Sequence, residues 1–521
     1  KIFSFLIKEE NSQSYNNFLI ILSLILIFIF FIKTVLSMFV RWAITKFAFQ
    51  QFLSLQIRLT SAYQQMSYME FISRNTSEYI RNVKELTGNC VAAIENYLRL
   101  VSELIIIFVI IVYLCFVNIK VIICLLGILA FITFIYEFWL KPKNISYGKK
   151  KVNSSELIYK GVDAGLKGFK EIRILSKESF FLDIVRKGAK GVYINELKSS
   201  IIRNSPRYIF EFAIICFLLS FLALSVFFNQ NIENTIPILG VFCVAAIRLL
   251  PGAASVVNSF TVINYSSYSI NKLYNDLQKF NKKIKKKISV SIKGSNTEFK
   301  LIEMKNITFK YPNTNKYILH KANFSIKKNE CIGIVGESGA GKTTTIDLFL
   351  GLLNPTSGKI FLNKKQIGKQ MSDWSGMVAY LPQESLILED TIKKNISFKN
   401  EINEKDHNEI KESIHLSNIK KVIKSLPNGI NTKIGQGGVR LSGGQNKRIA
   451  LARTFFHGKK ILIMDEATSS LDRKTEDFIV NQLRELKRKK TIIIVTHNKN
   501  TLKYCDKIFQ IKNQKINRIK T

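Results

Sequence analysis

The chain has 521 residues, 47% of them hydrophobic, a mean hydropathy of +0.10 and a formal net charge of +39. Such a length exceeds one ordinary domain, and such hydropathy excludes a purely soluble chain. The charge does not imply a nucleic-acid partner: the lysines are scattered among Ile and Asn, no aromatic-interleaved basic face accompanies them, and the excess suits basic loops beside a membrane.

Apolar runs crowd between Phe18 and Ile263, whereas the C-terminal half alternates short apolar strands with polar stretches. The first half therefore reads as membrane and the second as soluble α/β. Cys90, Cys115, Cys124, Cys216, Cys243, Cys331 and Cys505 are far apart, with no CxxC spacing, and read as small buried hydrophobes. No cleavable signal peptide is visible, and a chain that opens on Lys rather than Met is read as a fragment or a processed form.

A membrane span needs about 20 apolar residues, which predicts five spans, over 18–40, 98–117, 119–140, 207–228 and 236–263. "NIK" at 118–120 and "NQNIENT" at 229–235 read as tight turns. The long connections 41–97 and 141–206 are helical in pattern and rich in Lys and Arg, so the positive-inside rule places them in the cytoplasm. The odd count puts residues 1–17 outside. Lys33 and Arg248 lie inside the spans, where charge is costly. Lys33 either snorkels to an interface or faces a cavity. Arg248, just before Pro251, either faces a cavity that suits an anionic substrate or pairs with Glu103, Glu137 or Glu211.

Residues 276–298 read as a Lys-rich linker between a membrane domain over 1–275 and a second domain over 299–521. There "GESGAGKTT" (336–344) sits between a buried strand and a helix. Gly336, Gly339 and Gly341 let successive N–H groups turn toward a phosphate, with Glu337, Ser338, Ala340 and Thr344 filling the loop. Lys342 reaches the β/γ-phosphates and the Thr343 hydroxyl can ligate Mg²⁺. "ILIMDEATSSLD" ends a strand at Asp465, placed to hold Mg²⁺ through water, and Glu466, placed to polarise an attacking water. Gln383 of "YLPQES" reads as a sensor of Mg²⁺ and that water. His497 ends another buried strand within reach of the γ-phosphate. Tyr311 of "TFKYPN" is either an adenine-stacking ring or a hairpin aromatic. "LSGGQNKRIALAR" (441–453) places Ser442, Gly443, Gly444 and Gln445 at a second helix start, where unpaired N–H groups and the helix dipole favour an anion.

The order of strand, phosphate loop, Gln383, "LSGGQ", "MDEATSSLD" and His497 strongly resembles the ATP-binding cassette of ABC transporters over 299–515. That resemblance implies ATP and Mg²⁺ as cofactors and two cassettes paired head to tail. The helix starting at Ser442 would then cap the γ-phosphate of ATP held by the partner's Lys342, and Asp472 would communicate between the sites. One cassette and one membrane half imply a half-transporter working as a dimer, in the inner, cytoplasmic membrane with its ATPase domain in the cytoplasm. Coupling helices would fall near 66–80 and 165–182. Gln436 stands where many exporters carry Glu, a departure affecting the contact with those helices.

Through "GLKGFKEIRILSKESFF" (165–181) and "AAIRLLPGAASVVNSF" (245–260), the membrane half is similar to the PglK-type flippases of lipid-linked oligosaccharides. Those carry six spans, implying that a first helix precedes this sequence, and they imply an anionic glycolipid substrate and contact with membrane lipid. Where the group often has a second basic residue after the Pro, this chain has Ala and Val. An exporter of a peptide, toxin or drug-like lipid stays open, although no N-terminal peptidase-like domain is visible. A regulatory ATP-binding membrane protein is a further reading, disfavoured by Glu466 and His497.

Overall fold

The computed structural model describes residues 12–227, 232–288, 299–312, 314–366, 377–435, 438–466, 472–487 and 489–519. Residues 1–11, residues 289–298 of the expected linker, Gln436 and residues 467–471 of "ATSSLD" lie outside the described residues. The chain divides into two compact units, Lys1–Met66 with Glu70–Ile288, and Ser67–Met69 with Ser289–Thr521.

The first unit is all helix. Five of its helices are long and apolar enough to cross a membrane, and each holds one of the spans expected from sequence. α1 (Ser12–Gln64) carries 18–40, α2 (Thr87–Val117) carries 98–117, α3 (Ile119–Ile135) and a π-helical turn at Tyr136–Leu140 carry 119–140, α5 (Glu178–Phe227) carries 207–228 and α6 (Ile232–Ile288) carries 236–263. Between α3 and α5 the basic connection is itself a helix, α4 (Lys141–Lys167). The helices thus run beyond the apolar stretches, α5 continuing through Pro206 and α4 through Gly148 and Gly161.

Asn118 separates α2 from α3. Its backbone leaves the helical region at φ −161, ψ 105, and its side-chain carbonyl accepts the N–H of Val121 at 3.3 Å. The turn expected at 229–235 is shorter than the sequence suggests, since α6 already begins at Ile232. Pro251 does not end α6, which continues to Ile288 through residues 276–288 of the expected linker. Short helices at Tyr68–Ile72, Thr76–Arg81 and Phe169–Ile174 occupy the two expected coupling segments.

Polar contacts select the packing inside this unit, where apolar surface alone cannot distinguish protein from lipid. Asn144 of α4 donates to the Thr261 carbonyl of α6 at 2.7 Å and accepts from Ser199 of α5 at 2.8 Å. A Cβ on Gly148 would collide with the Tyr265 carbonyl, so only glycine allows α4 and α6 to approach this closely. Arg81, fully buried, donates to Glu156 at 2.8 Å and to the Val152 carbonyl at 3.1 Å. Lys33 is exposed, with its ammonium 5.1 Å from the Phe30 ring centroid.

The second unit is built on two sheets. Four strands, β1 (Leu301–Phe309), β2 (Leu319–Lys327), β4 (Ser357–Leu362) and β5 (Lys365–Gln366), form an antiparallel sheet in the order β2-β1-β4-β5. Six strands, β3 (Cys331–Val335), β6 (Val378–Leu381), β7 (Ile461–Asp465), β8 (Thr491–Val495), β9 (Lys507–Lys512) and β10 (Lys515–Ile519), form a second sheet ordered β10-β9-β3-β8-β7-β6. In it β3, β8, β7 and β6 are mutually parallel neighbours. Every residue of β7 and β8 is buried, as expected for strands covered on both faces.

Glu156→Gln leaves the buried Arg81 guanidinium without its anionic partner. Expected is a loss of about 2–3 kcal/mol from the membrane unit, seen as a lower thermal unfolding midpoint in detergent; an unchanged midpoint overturns the role of the pair.

Candidate active site

In a parallel sheet, ligands gather at the carboxyl ends of the strands. Here β3 leads into Gly336–Gly341, β7 ends at Asp465 and runs into Glu466, β8 ends two residues before His497, and β6 ends two residues before Gln383. The register pairs Ile334 with Val495, Asp465 with Val495, and Leu381 with Met464, so these four strand ends lie side by side.

The loop after β3 is glycine-dependent at defined points. Gly339 and Gly341 adopt φ of +78 and +98, and a Cβ on Gly341 would lie 2.6 Å from the Ile318 side chain. A Cβ on Gly336 would lie 2.8 Å from the Ile511 carbonyl. α7 (Lys342–Phe349) starts directly from Gly341 with no side-chain cap, leaving its first N–H groups for an anion. The Lys342 ammonium donates to the carbonyls of Gly336 at 2.7 Å and Glu337 at 3.1 Å, so it lies over the loop. Glu337, Ser338 and Gly339 are exposed along it, with Ala340 partly covered. Tyr311 stands beside this helix: its hydroxyl is 3.1 Å from that of Thr344, and its ring meets Phe309 edge-on at 5.1 Å.

The Thr343 hydroxyl is 3.5 Å from a carboxylate oxygen of Asp465, which is 3% exposed. Two hard oxygen donors at a helix N-terminus fit Mg²⁺ shared with nucleotide phosphates. Burial first, and the neighbouring Glu466 second, raise the Asp465 pKa above its ordinary value. Asp347, behind it on α7, is pushed up to about 6 by burial and by the Asp465 charge.

Glu466 adopts φ +49, unusual for a residue with a side chain. Its N–H donates to the Val495 carbonyl at 3.0 Å, its carboxylate accepts from Gln383 Nε2 at 3.0 Å, and its carbonyl accepts from the Lys447 ammonium. His497 is exposed at the same sheet edge.

The second helix start is α10 (Gly443–Phe456). The Ser442 hydroxyl accepts the Gln445 N–H at 3.2 Å, and the Gln445 side chain accepts the Ser442 N–H at 2.9 Å, a reciprocal capping box. Ser442 and Gly443 are exposed, and a Cβ on Gly443 would meet open space. Asp472 caps α11 (Arg473–Leu486) by accepting the Thr475 N–H at 3.0 Å.

With this geometry established, likeness to known proteins becomes informative. Residues 319–469 match the family described as ABC transporter. This segment has the sequence pattern of an ABC-transporter ATP-binding cassette. An export ATP-binding/permease protein of Rickettsia typhi is 40% identical over 217 residues, 41% of this chain and 37% of that protein. A multidrug export ATP-binding/permease protein of Staphylococcus aureus is 35% identical over 213 residues, 41% of this chain and 36% of its own length. The chain thus aligns with little more than a third of these relatives. A solved bacterial Atm1-family ABC exporter with ATP bound superposes with a TM-score of 0.72 at 18% identity, covering 91% of this chain and 82% of that one. The likeness extends over both units and shows their fold alone.

The cassette places together every site residue read from sequence on β3, β6, β7 and β8. The sequence reading omitted Lys447, Tyr380, whose hydroxyl hydrogen-bonds Asp465, and Asp347. A periodicity signal existed for Lys447: Ala450, Leu451 and Thr454, three, four and seven residues on, are buried.

Because Asp347 keeps its proton to higher pH in the fold than in the unfolded chain, its ionisation opposes folding above about pH 6 and has no such effect below the ordinary carboxylate range. Asp347→Asn is expected to stabilise the nucleotide-free protein by about 2 kcal/mol near pH 8, the gain vanishing as pH falls from 6 to 4. Thermal midpoints across pH measure it, and a gain independent of pH contradicts the assignment.

Proposed function

We propose that the chain is one half of an ATP-driven exporter of the inner membrane, acting as a homodimer with its cassettes in the cytoplasm. The observation carrying this reading is the exposed, pre-capped first turn of α10, a built anion site on the same cassette as a complete phosphate loop. Each nucleotide would lie between the Gly336–Thr344 loop of one chain and the Ser442–Gln445 turn of the other. Lys342 and the first N–H groups of α7 would hold the phosphates. Thr343 and Asp465, aided by Gln383, would hold Mg²⁺, which when bound draws charge from the transferred phosphoryl group. Glu466 would accept a proton from the attacking water, Gln383 orienting its carboxylate and His497 facing the γ-phosphate. Tyr311 would border the base, and Asp472 would anchor the segment between the two sites.

Exposed apolar residues support partner contact at the cytoplasmic end of the membrane unit. Leu166, Phe169, Ile174 and Leu175 are 66–72% exposed around the short helix Phe169–Ile174, a face that a second copy's cassette would cover.

For the cargo we infer an amphiphile with an anionic head, such as a lipid-linked oligosaccharide. A cavity of about 400 Å³ in the membrane unit is lined by Arg41, Arg99 and Arg248 as well as Glu95 and Glu103. Arg248 reaches Glu103 only at 3.6 Å, and that Glu103 oxygen is buried without a hydrogen bond. Of the three acidic partners open to Arg248 in sequence, Glu103 is the one it meets; Glu137 pairs with Lys141 at 2.6 Å. Arg41 and Arg99 are expected at the headgroup level of the cytoplasmic leaflet, where guanidinium groups suit phosphate. The two glutamates on the same wall favour a second reading, a cationic or zwitterionic drug-like amphiphile.

Glu466→Gln is expected to trap an ATP-bound dimer with turnover reduced at least about a hundredfold, read by ATPase assay and size-exclusion chromatography. Near-parental hydrolysis removes Glu466 from its role, and a strictly monomeric ATPase of parental rate removes the shared site. Arg248→Ala is expected to slow movement of a polyprenyl diphosphate sugar in vesicles at least about tenfold while leaving basal ATPase within about twofold. Equal transport by mutant and parent refutes the cavity.

A further inference from the structure

The buried face of α10 carries a cation. Lys447 is 7% exposed and lies on one stripe with buried Ala450, Leu451 and Thr454. Taking an ammonium out of water is costly unless it is paired and hydrogen-bonded. Burial accordingly lowers its pKa, while the charges of Glu466 and Asp465 favour the protonated form. Its ammonium donates to the backbone carbonyl of Glu466.

That acceptor is available because of an unusual backbone. At φ +49, Glu466 leaves the extended conformation of β7: its N–H still bonds β8, while its carbonyl accepts from Lys447. Three elements then hold this residue: β8 through its N–H, the segment after β6 through Gln383 on its carboxylate, and α10 through Lys447 on its carbonyl. A left-handed conformation at a residue with a side chain persists only where surrounding contacts over-determine it. The exposed Ser442 cap of α10 lies five residues before Lys447. The helix is therefore a rigid rod of just over one turn between an open anion site and the backbone of the carboxylate.

We propose that Lys447 is a positioning residue that ties the helix beginning at Ser442 to the backbone of Glu466 in the same chain. A shift of α10 when its first turn engages the phosphate of one nucleotide is thereby passed to the carboxylate that faces the other. The proposal rests on the reading of Glu466 as the base and of the sites as shared.

Lys447→Met keeps the length of the side chain and removes the donor, whereas Lys447→Arg keeps a donor. In full-length protein in nanodiscs, Lys447→Met is expected to lower kcat for ATP hydrolysis at least about tenfold with KM for ATP within about twofold. Lys447→Arg should recover at least about half of the parental kcat, because the carbonyl again receives an N–H. Combined with Glu466→Gln, the Met substitution should leave ATP-dependent dimerisation intact, since the proposed contact serves positioning and not nucleotide capture. An unchanged kcat in Lys447→Met, no recovery in Lys447→Arg, or loss of dimerisation in the double variant each overturns the proposal. If Lys447→Met shows a lowered thermal midpoint, Lys447→Gln is measured against the same criteria. Parental ATPase in Glu466→Gln alone instead rejects the underlying assignment of the base, independently of Lys447.

Discussion

The parallel pairing of β3, β8, β7 and β6 is the constraint on which the candidate site depends. Residues 336–344, 383, 465–466 and 497 are separated by up to 161 positions in the chain, yet four adjacent strands ending at one sheet edge bring them together. The register does this through backbone hydrogen bonds, while the fully buried β7 and β8 commit the strands to the centre of the sheet. A slip of one residue in β7 would turn Asp465 from Thr343 toward the opposite face.

Charge at this edge is arranged against ordinary solvation preferences. Asp465 and Asp347 are carboxylates in poor contact with water, and both are raised in pKa by burial. Lys447 is an ammonium in the same surroundings. Such a cluster is costly by itself and is matched to a multivalent ligand, phosphate with its cation, that supplies the missing charges and oxygens. The starts of α7 and α10 differ: α7 begins uncapped at the loop after β3, while α10 is held by a reciprocal capping box with Ser442 exposed.

The membrane unit follows a different logic. Along the spans its outer surface is largely apolar, so hydrophobicity assigns helices to the membrane without choosing their neighbours. Neighbours are chosen by Gly148 under Tyr265, by Asn144 between Thr261 and Ser199, and by Arg81 against Glu156. The bidentate contact of Arg74 with Asp276, at 3.0 and 3.1 Å, joins segments 202 residues apart.

Local features of this protein were legible in its amino-acid order. Apolar length specified the five spans, glycines and Lys342 specified the phosphate loop, and Ser442 with Gln445 specified a helix cap, because each depends on residues within one turn or one strand of one another. What joins distant residues was decided by the tertiary structure. Choosing Glu103 among three acids for Arg248, moving the cavity's cations from Lys33 to Arg41 and Arg99, and setting Lys447 on the carbonyl of Glu466 all follow from packing between elements. Periodicity says which face of a helix is buried, as it does for Lys447, but it carries no information about the acceptor across that face. Only the close approach of α10 to the end of β7 supplies it.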